Sequence, residues 1–237
     1  MSITDNLEVK GGQLRTFKFL LLMGMLYVTS LLLTAVTVHK MLVLGSLSIS
    51  GGTFIYPFSY FFGDVITEVY GYKISRQIIW AAFACMFVFD MGAALLAATP
   101  SPSNWHFEHA YYIVLGPLPR IFLGDFIAMT LGAFVNAYII AKTKILLRGQ
   151  YFWLRSLCST LIGEGIFNLI AFSIMFIGVV SFKVYLEVML FSYAFKAVWA
   201  VVAVWPAFLL MKVLKRVEGI DIYDYKTNFN PFKFYIN

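Results

Sequence analysis

The chain has 237 residues, of which 61% are hydrophobic, 18% aromatic and only 13% charged, with a mean hydropathy of +0.82. Soluble domains carry about 25% charged residues, so this composition excludes an ordinary water-soluble enzyme, a disordered chain and a disulfide scaffold. The net charge of +6 would suggest nucleic acid in a soluble protein; in a chain of long apolar runs it has to be read by position, and no nucleic-acid partner is expected.

At about 20 residues per crossing, the sequence predicts an all-α integral membrane protein with six transmembrane helices over residues 1–216. The first run, 17–38, follows Lys10 and Arg15 and contains Lys18; it is too long for a signal peptide and lacks a small-residue cleavage site, so it reads as a retained helix. The second, 53–70, carries Pro57, Asp64 and an aromatic cluster from Phe54 to Phe62. The third, 74–98, follows Lys73 and gives way to a connection rich in proline and serine. The fourth, 118–141, opens at the Pro117/Pro119 pair, where proline suits a first helical turn. The fifth is 156–179, and the sixth is 187–211 with Pro206 inside it. Residues 217–237 read as a polar, aromatic cytoplasmic C-terminal tail.

Fourteen of the 18 lysines and arginines fall on one side of this scheme: in the N-terminal segment, the second-to-third loop, the fourth-to-fifth loop and the C-terminal segment. Lys40 and Lys183 lie on the other side, and Arg120 and Lys196 lie within or at the edge of spans. Such asymmetry places both termini in the cytoplasm. Cys85 and Cys158 sit in apolar runs and read as small core residues. His106-Phe107-Glu108-His109 lacks the spacing of a zinc helix, so no metal is expected, and no motif calls for a cofactor.

A charge at mid-bilayer costs about 2.5–3.5 kcal/mol on insertion scales. The spans nevertheless contain Asp64, Asp90, Arg120, Asp125, Glu164 and Lys196, with Glu68 near a span end and Asn136 and Asn168 beside them. Asp64 and Glu68 are four apart and share a helix face; either a cation such as Arg120 or Lys196 sits with them, or one holds a proton. Glu164 and Asn168 are also four apart and offer acceptors and donors on one face. Arg120 either snorkels to the interface or points inward toward a ligand. Each group has a second reading as an interhelical hydrogen bond or ion-pair network. Phe54 and Phe58 are candidate stacking faces for a flat ligand, or packing aromatics.

The segment Gly52-Thr53-Phe54-Ile55-Tyr56-Pro57-Phe58, followed by Asp64-Val65-Ile66-Thr67-Glu68-Val69-Tyr70-Gly71, resembles the queuosine precursor transporter family, also called the vitamin uptake transporter family. Arg120 with Gly132, Ser159-Thr160 with Gly163-Glu164, Phe195-Lys196 with Pro206, and the final Asn228-Phe229-Asn230-Pro231-Phe232 extend the resemblance along the chain. Asn136 and Phe167 depart from it, since an acid is expected at each. The resemblance implies a six-helix importer in the bacterial inner membrane, similar to the substrate-binding components of energy-coupling factor transporters. It implies uptake of 7-deazaguanine queuosine precursors (the nitrile, the aminomethyl form or the free base) by alternating access, without an ATPase module. It makes Asp64, Glu68, Arg120, Glu164, Asn168, Lys196, Phe54, Phe58 and Asn136 the substrate-binding candidates for a purine-like small molecule. A homo-oligomer is compatible with this reading. The competing reading is the vitamin-binding component of an ATP-driven transporter.

Overall fold

The structure, a computed structural model, describes residues 8–10, 13–15, 17–38, 40–44, 47–176 and 181–233. Residues 177–179 of the expected fifth span and 234–237 of the tail lie outside them. In chain order the elements are β1 (Glu8–Lys10), β2 (Gln13–Arg15), α1 (Leu20–Thr37), β3 (Met41–Leu44), β4 (Leu47–Ser50), α2 (Gly52–Ile55), α3 (Pro57–Ala97), α4 (Glu108–Leu115), α5 (Leu118–Leu146), α6 (Phe152–Phe176) and α7 (Phe182–Glu218). Strands β1 and β2 pair antiparallel. So do β3 and β4, with Met41 opposite Ser50 and Leu44 opposite Leu47. Neither hairpin is foreseen in the sequence, because one falls in the segment before the first span and the other in the short connection after it, both judged only by their lack of helical length.

Among the described residues, five helical stretches are long and apolar enough to cross a membrane: Leu20–Thr37, Gly52–Ala97, Glu108–Leu146, Phe152–Ile174 and Phe182–Glu218. The sequence predicts six. The difference lies at Gly71: the expected spans 53–70 and 74–98 run on as one stretch through a single non-helical residue with φ 81° and ψ 168°. That backbone conformation favours glycine. A side chain there would also be crowded, since a Cβ would lie 3.0 Å from Ile222 Cγ2 and 3.3 Å from Asp224 Oδ2.

The bundle is apolar both inside and out: an apolar core that includes Leu31, Val65, Ile66, Tyr70 and Met129 encloses the polar residues, and large apolar side chains also cover the outer surface. Asp64, Glu68, Asp90, Asp125, Asn136, Lys144, Arg155, Glu164, Asn168 and Lys196 are buried, whereas Leu21, Leu95, Leu131, Leu169, Val198 and Leu209 are exposed. Lipid accepts apolar side chains, and charges are stable only where the bundle surrounds them. Helices α5 and α6 approach closely at Gly132 and Gly163, where a Cβ on either would lie within 3 Å of the other's carbonyl oxygen; small residues allow such backbone contact.

The bundle end that carries the C-terminal tail is tied by charge. Glu218, in the last turn of α7, accepts from the backbone N–H groups of Phe19 (2.7 Å) and Lys18 (3.0 Å), and from the Tyr70 hydroxyl (2.9 Å). A carboxylate at the start of α1 satisfies amides that have no partner within the helix. Asp224 accepts from the Tyr72 N–H at 2.9 Å, immediately after the Gly71 break. Arg76 donates to the carbonyls of Asn228 and Asn230, and the Trp80 indole to that of Pro231. Residues 219–233 are therefore docked on the bundle.

Candidate functional site

Helices α6 and α7 build the centre of the site. Lys196 on α7 donates to Glu164 Oε2 and Asn168 Oδ1 on α6, each at 2.9 Å. The i, i+4 spacing of Glu164 and Asn168 puts both on the face that meets Lys196. The ammonium also lies over the rings of Tyr56 (4.6 Å) and Phe167 (4.8 Å), which stack on each other at 4.1 Å. Such cation–ring contacts are worth more once desolvated, and all these side chains are buried.

Lys196 also fixes the chemistry of what remains. An ammonium only donates, so it turns the Asn168 oxygen toward itself and the Asn168 amino group away. Asn168 Nδ2 and Glu164 Oε1 are buried and have no hydrogen-bond partner among the described residues. Lys196 therefore leaves one amide donor and one charged acceptor unpaired; Glu164 lines a cavity, and Asn168 stands one turn further along the same face of α6.

A second polar centre adjoins it. Asp64 on α3 accepts from Asn136 Nδ2 (2.7 Å) on α5, and from Ser156 Oγ and Thr160 Oγ1 (3.1 Å) on α6. The amide nitrogen of Asn136 being so used, its oxygen is a buried acceptor without a partner among the described residues. Cavities lie beside these groups. One is lined by Tyr60, Asp64, Glu164, Lys196 and Trp199. Another is lined by Tyr56, Asp125, Phe167, Ser192 and Lys196. Tyr60 and Asn136 line a third. The free space in each, 20 to 40 Å³, is room for a few water molecules, so a larger ligand requires the helices to move apart.

The other sequence candidates lie elsewhere. Glu68 is fully buried in a separate cluster: Arg155 grips it through both terminal nitrogens (2.7 and 3.2 Å), and Lys215 reaches it at 2.7 Å. Lys144 lies 3.8 Å away and is 2.6 Å from Asp221. Burial raises the pKa of Asp221, but hydrogen bonds from Lys144 and Lys215 outweigh it and hold the carboxyl below its usual range. The cations beside Glu68 are thus Arg155, Lys144 and Lys215, not Arg120 or Lys196. Arg120 is exposed, and its guanidinium lies 3.5 Å from the Ile174 carbonyl; it lines none of the three cavities. Phe54 packs edge-on against Phe195, and Phe58 against Trp199. The aromatic side chains on the cavities include Tyr56, Tyr60, Phe167 and Trp199, and Ser156 and Thr160 are further polar members. Tyr56 and Tyr60 stand in the aromatic cluster noted in the sequence, but nothing in the pattern separates them from their neighbours. His109 lies on the exposed α4, and no group of three metal-ligating side chains occurs among the described residues.

Residues 50–211 match the family described as "Putative vitamin uptake transporter". The chain belongs to this family. It is a multi-pass membrane protein and a transporter of a vitamin-like small molecule, not an enzyme. The chain is also similar to a Bacillus subtilis (strain 168) protein named "Probable queuosine precursor transporter", with 26% identity over 184 residues, covering 76% of this chain and 80% of that protein. No solved structure matches the chain. The family match spans every residue of the two polar centres, from Tyr56 and Asp64 to Lys196.

Proposed function

We propose that this transporter imports a 7-deazaguanine precursor of queuosine. The observation that carries the reading is the Lys196-bridged pair in which Glu164 Oε1 and Asn168 Nδ2 remain unpartnered beside the Tyr56–Phe167 stack. A 7-deazaguanine is flat and carries an N–H/NH2 edge next to a carbonyl. A carboxylate oxygen accepts from the first and an amide nitrogen donates to the second. A ligand lacking either edge leaves a buried polar group unpaired, which is a strong basis for selectivity. The name of the Bacillus subtilis relative agrees with this substrate class.

Movement is by alternating access. The break at Gly71 divides Gly52–Ala97 into two crossings, giving six in all: at 1.5 Å per residue each arm is long enough for a hydrocarbon core of about 30 Å. An even count and the lysine and arginine asymmetry support a reading with both termini on the cytoplasmic side. The Glu68 cluster and the docked tail then close the cytoplasmic end beneath the cavities. The small residues spaced by four on α1, Ser30 and Thr34, are buried and hydrogen-bonded within the chain. They form no exposed stripe for a separate ATPase to dock on, which favours a self-contained importer.

The test is uptake of labelled 7-cyano-7-deazaguanine, 7-aminomethyl-7-deazaguanine and queuine by cells that lack their own synthesis and import. Expression of this chain is expected to restore accumulation of at least one base, and restoration of none would overturn the assignment.

A further inference from the structure

Asp90, on the second arm of α3, is fully buried, and neither of its carboxylate oxygens has a hydrogen-bond partner among the described residues. Its chain neighbours Phe89 and Ala93 pack against the apolar group Ala35, Leu118 and Ile121. Asp64, Glu68, Glu164 and Glu218, by contrast, each receive at least one hydrogen bond. A bare carboxylate in apolar surroundings costs several kcal/mol, so Asp90 is stable only when a proton or a cation neutralises it.

Asp125 on α5 is the acidic neighbour: it follows Ile121 by one helical turn, and Ile121 belongs to the apolar group that Phe89 and Ala93, beside Asp90, pack against. Asp125 and Lys196 also line one cavity with Tyr56 and Phe167. The pair thus adjoins the candidate substrate site. The other titratable or charged groups on the facing elements are Tyr27 on α1, Tyr56 at the α2–α3 junction, the exposed Glu108, His109, Tyr111 and Tyr112 on α4, the exposed Arg120 on α5, Glu164 on α6 and Lys196 on α7. Two carboxylates without a third ligand make a poor metal site, and no three-ligand group occurs among the described residues.

We propose that Asp90 and Asp125 form a proton-binding site that couples substrate movement to the proton gradient. A proton adds to a carboxylate oxygen of the pair, giving a neutral acid, and leaves to water on the other side of the membrane; no electrons move. Protonation removes a negative charge close to Lys196, so that the ammonium is held by Glu164 and Asn168 alone. Deprotonation restores a competing attraction. The charge state of the pair therefore alters the groups that face the substrate.

The coupling rests on the transport reading above, and two measurements separate the two claims. In proteoliposomes, labelled 7-cyano-7-deazaguanine uptake is measured with and without an imposed pH gradient, acid outside. One proton per substrate supports about tenfold accumulation per pH unit. The wild type is expected to respond to the gradient, and Asp90→Asn to bring the ratio of gradient-driven to gradient-free uptake to near one. Independently of any ligand, infrared difference spectra at neutral pH are expected to show the C=O stretch of a protonated carboxyl group that Asp90→Asn removes. Uptake that ignores the pH gradient, or follows a sodium gradient instead, overturns the proposal, as does a carboxyl band unchanged by the substitution. Absence of uptake under every condition overturns the substrate assignment, and the infrared band then decides the proton site by itself.

Discussion

Glu164→Gln is expected to lower uptake of the carried base by one to two orders of magnitude. The substitution keeps the size of the side chain but replaces the unpartnered acceptor Oε1 with a neutral amide and removes the counter-charge of Lys196. Alanine would be the harsher change. It strands a buried ammonium, and breaking such a pair costs about 3–5 kcal/mol, so loss of uptake would then mix folding with function. The double variant Glu164→Gln, Lys196→Met separates the two. With no charge left to strand, it is expected to regain the wild-type unfolding temperature in detergent while uptake stays absent. Near-normal uptake by the double variant would remove the pair from substrate recognition.

The second large effect is on stability. Glu68→Gln is expected to destabilise the protein by about 3–5 kcal/mol, the cost of leaving a buried charge without its partner. Arg155 bears most of it. Its side chain is 1% exposed, its two terminal nitrogens hold Glu68 as a fork, and its other acceptors are backbone carbonyls. Lys144 and Lys215 lose less, because Asp221 remains with both. Thermal unfolding in detergent measures the loss, and Glu68→Met with Arg155→Met is expected to recover much of it. An unchanged transition in Glu68→Gln would show that the cluster is held together by the tail rather than by charge.

The membrane class and the position of most apolar runs are legible because both depend on composition over about 20 residues. What the sequence leaves open is helix rotation. A lipid-facing side and an interior side are both apolar, so the period that orients a soluble helix is nearly erased, and only the polar residues mark the inside. Glu164 and Asn168 reveal their shared face by spacing alone, whereas their meeting with Lys196 requires the packing of α6 on α7. Arg155 shows the opposite case. In sequence it is one of several loop cations that orient the chain, yet it folds inward because α6 begins at Phe152 and carries it under α3. The tail has no apolar period at all; its docking rests on carbonyls and on Asp224 meeting the Gly71 break, contacts that no local pattern encodes. Tyr56 meets Phe167 while Phe54 and Phe58 pack on Phe195 and Trp199 for the same reason: which ring faces which neighbour is decided by the packing of the helices, not by residue type.

The account depends on a buried donor and acceptor, Asn168 Nδ2 and Glu164 Oε1, waiting for a flat ligand with complementary edges. Equilibrium binding of 7-cyano-7-deazaguanine to the purified protein, compared with the same base lacking its 2-amino group, tests this most directly. The account predicts saturable binding of the first and an affinity lower by about tenfold or more for the second, as expected when a buried carboxylate oxygen is left unpaired. Equal affinity for the two bases, or no binding of either, would contradict it.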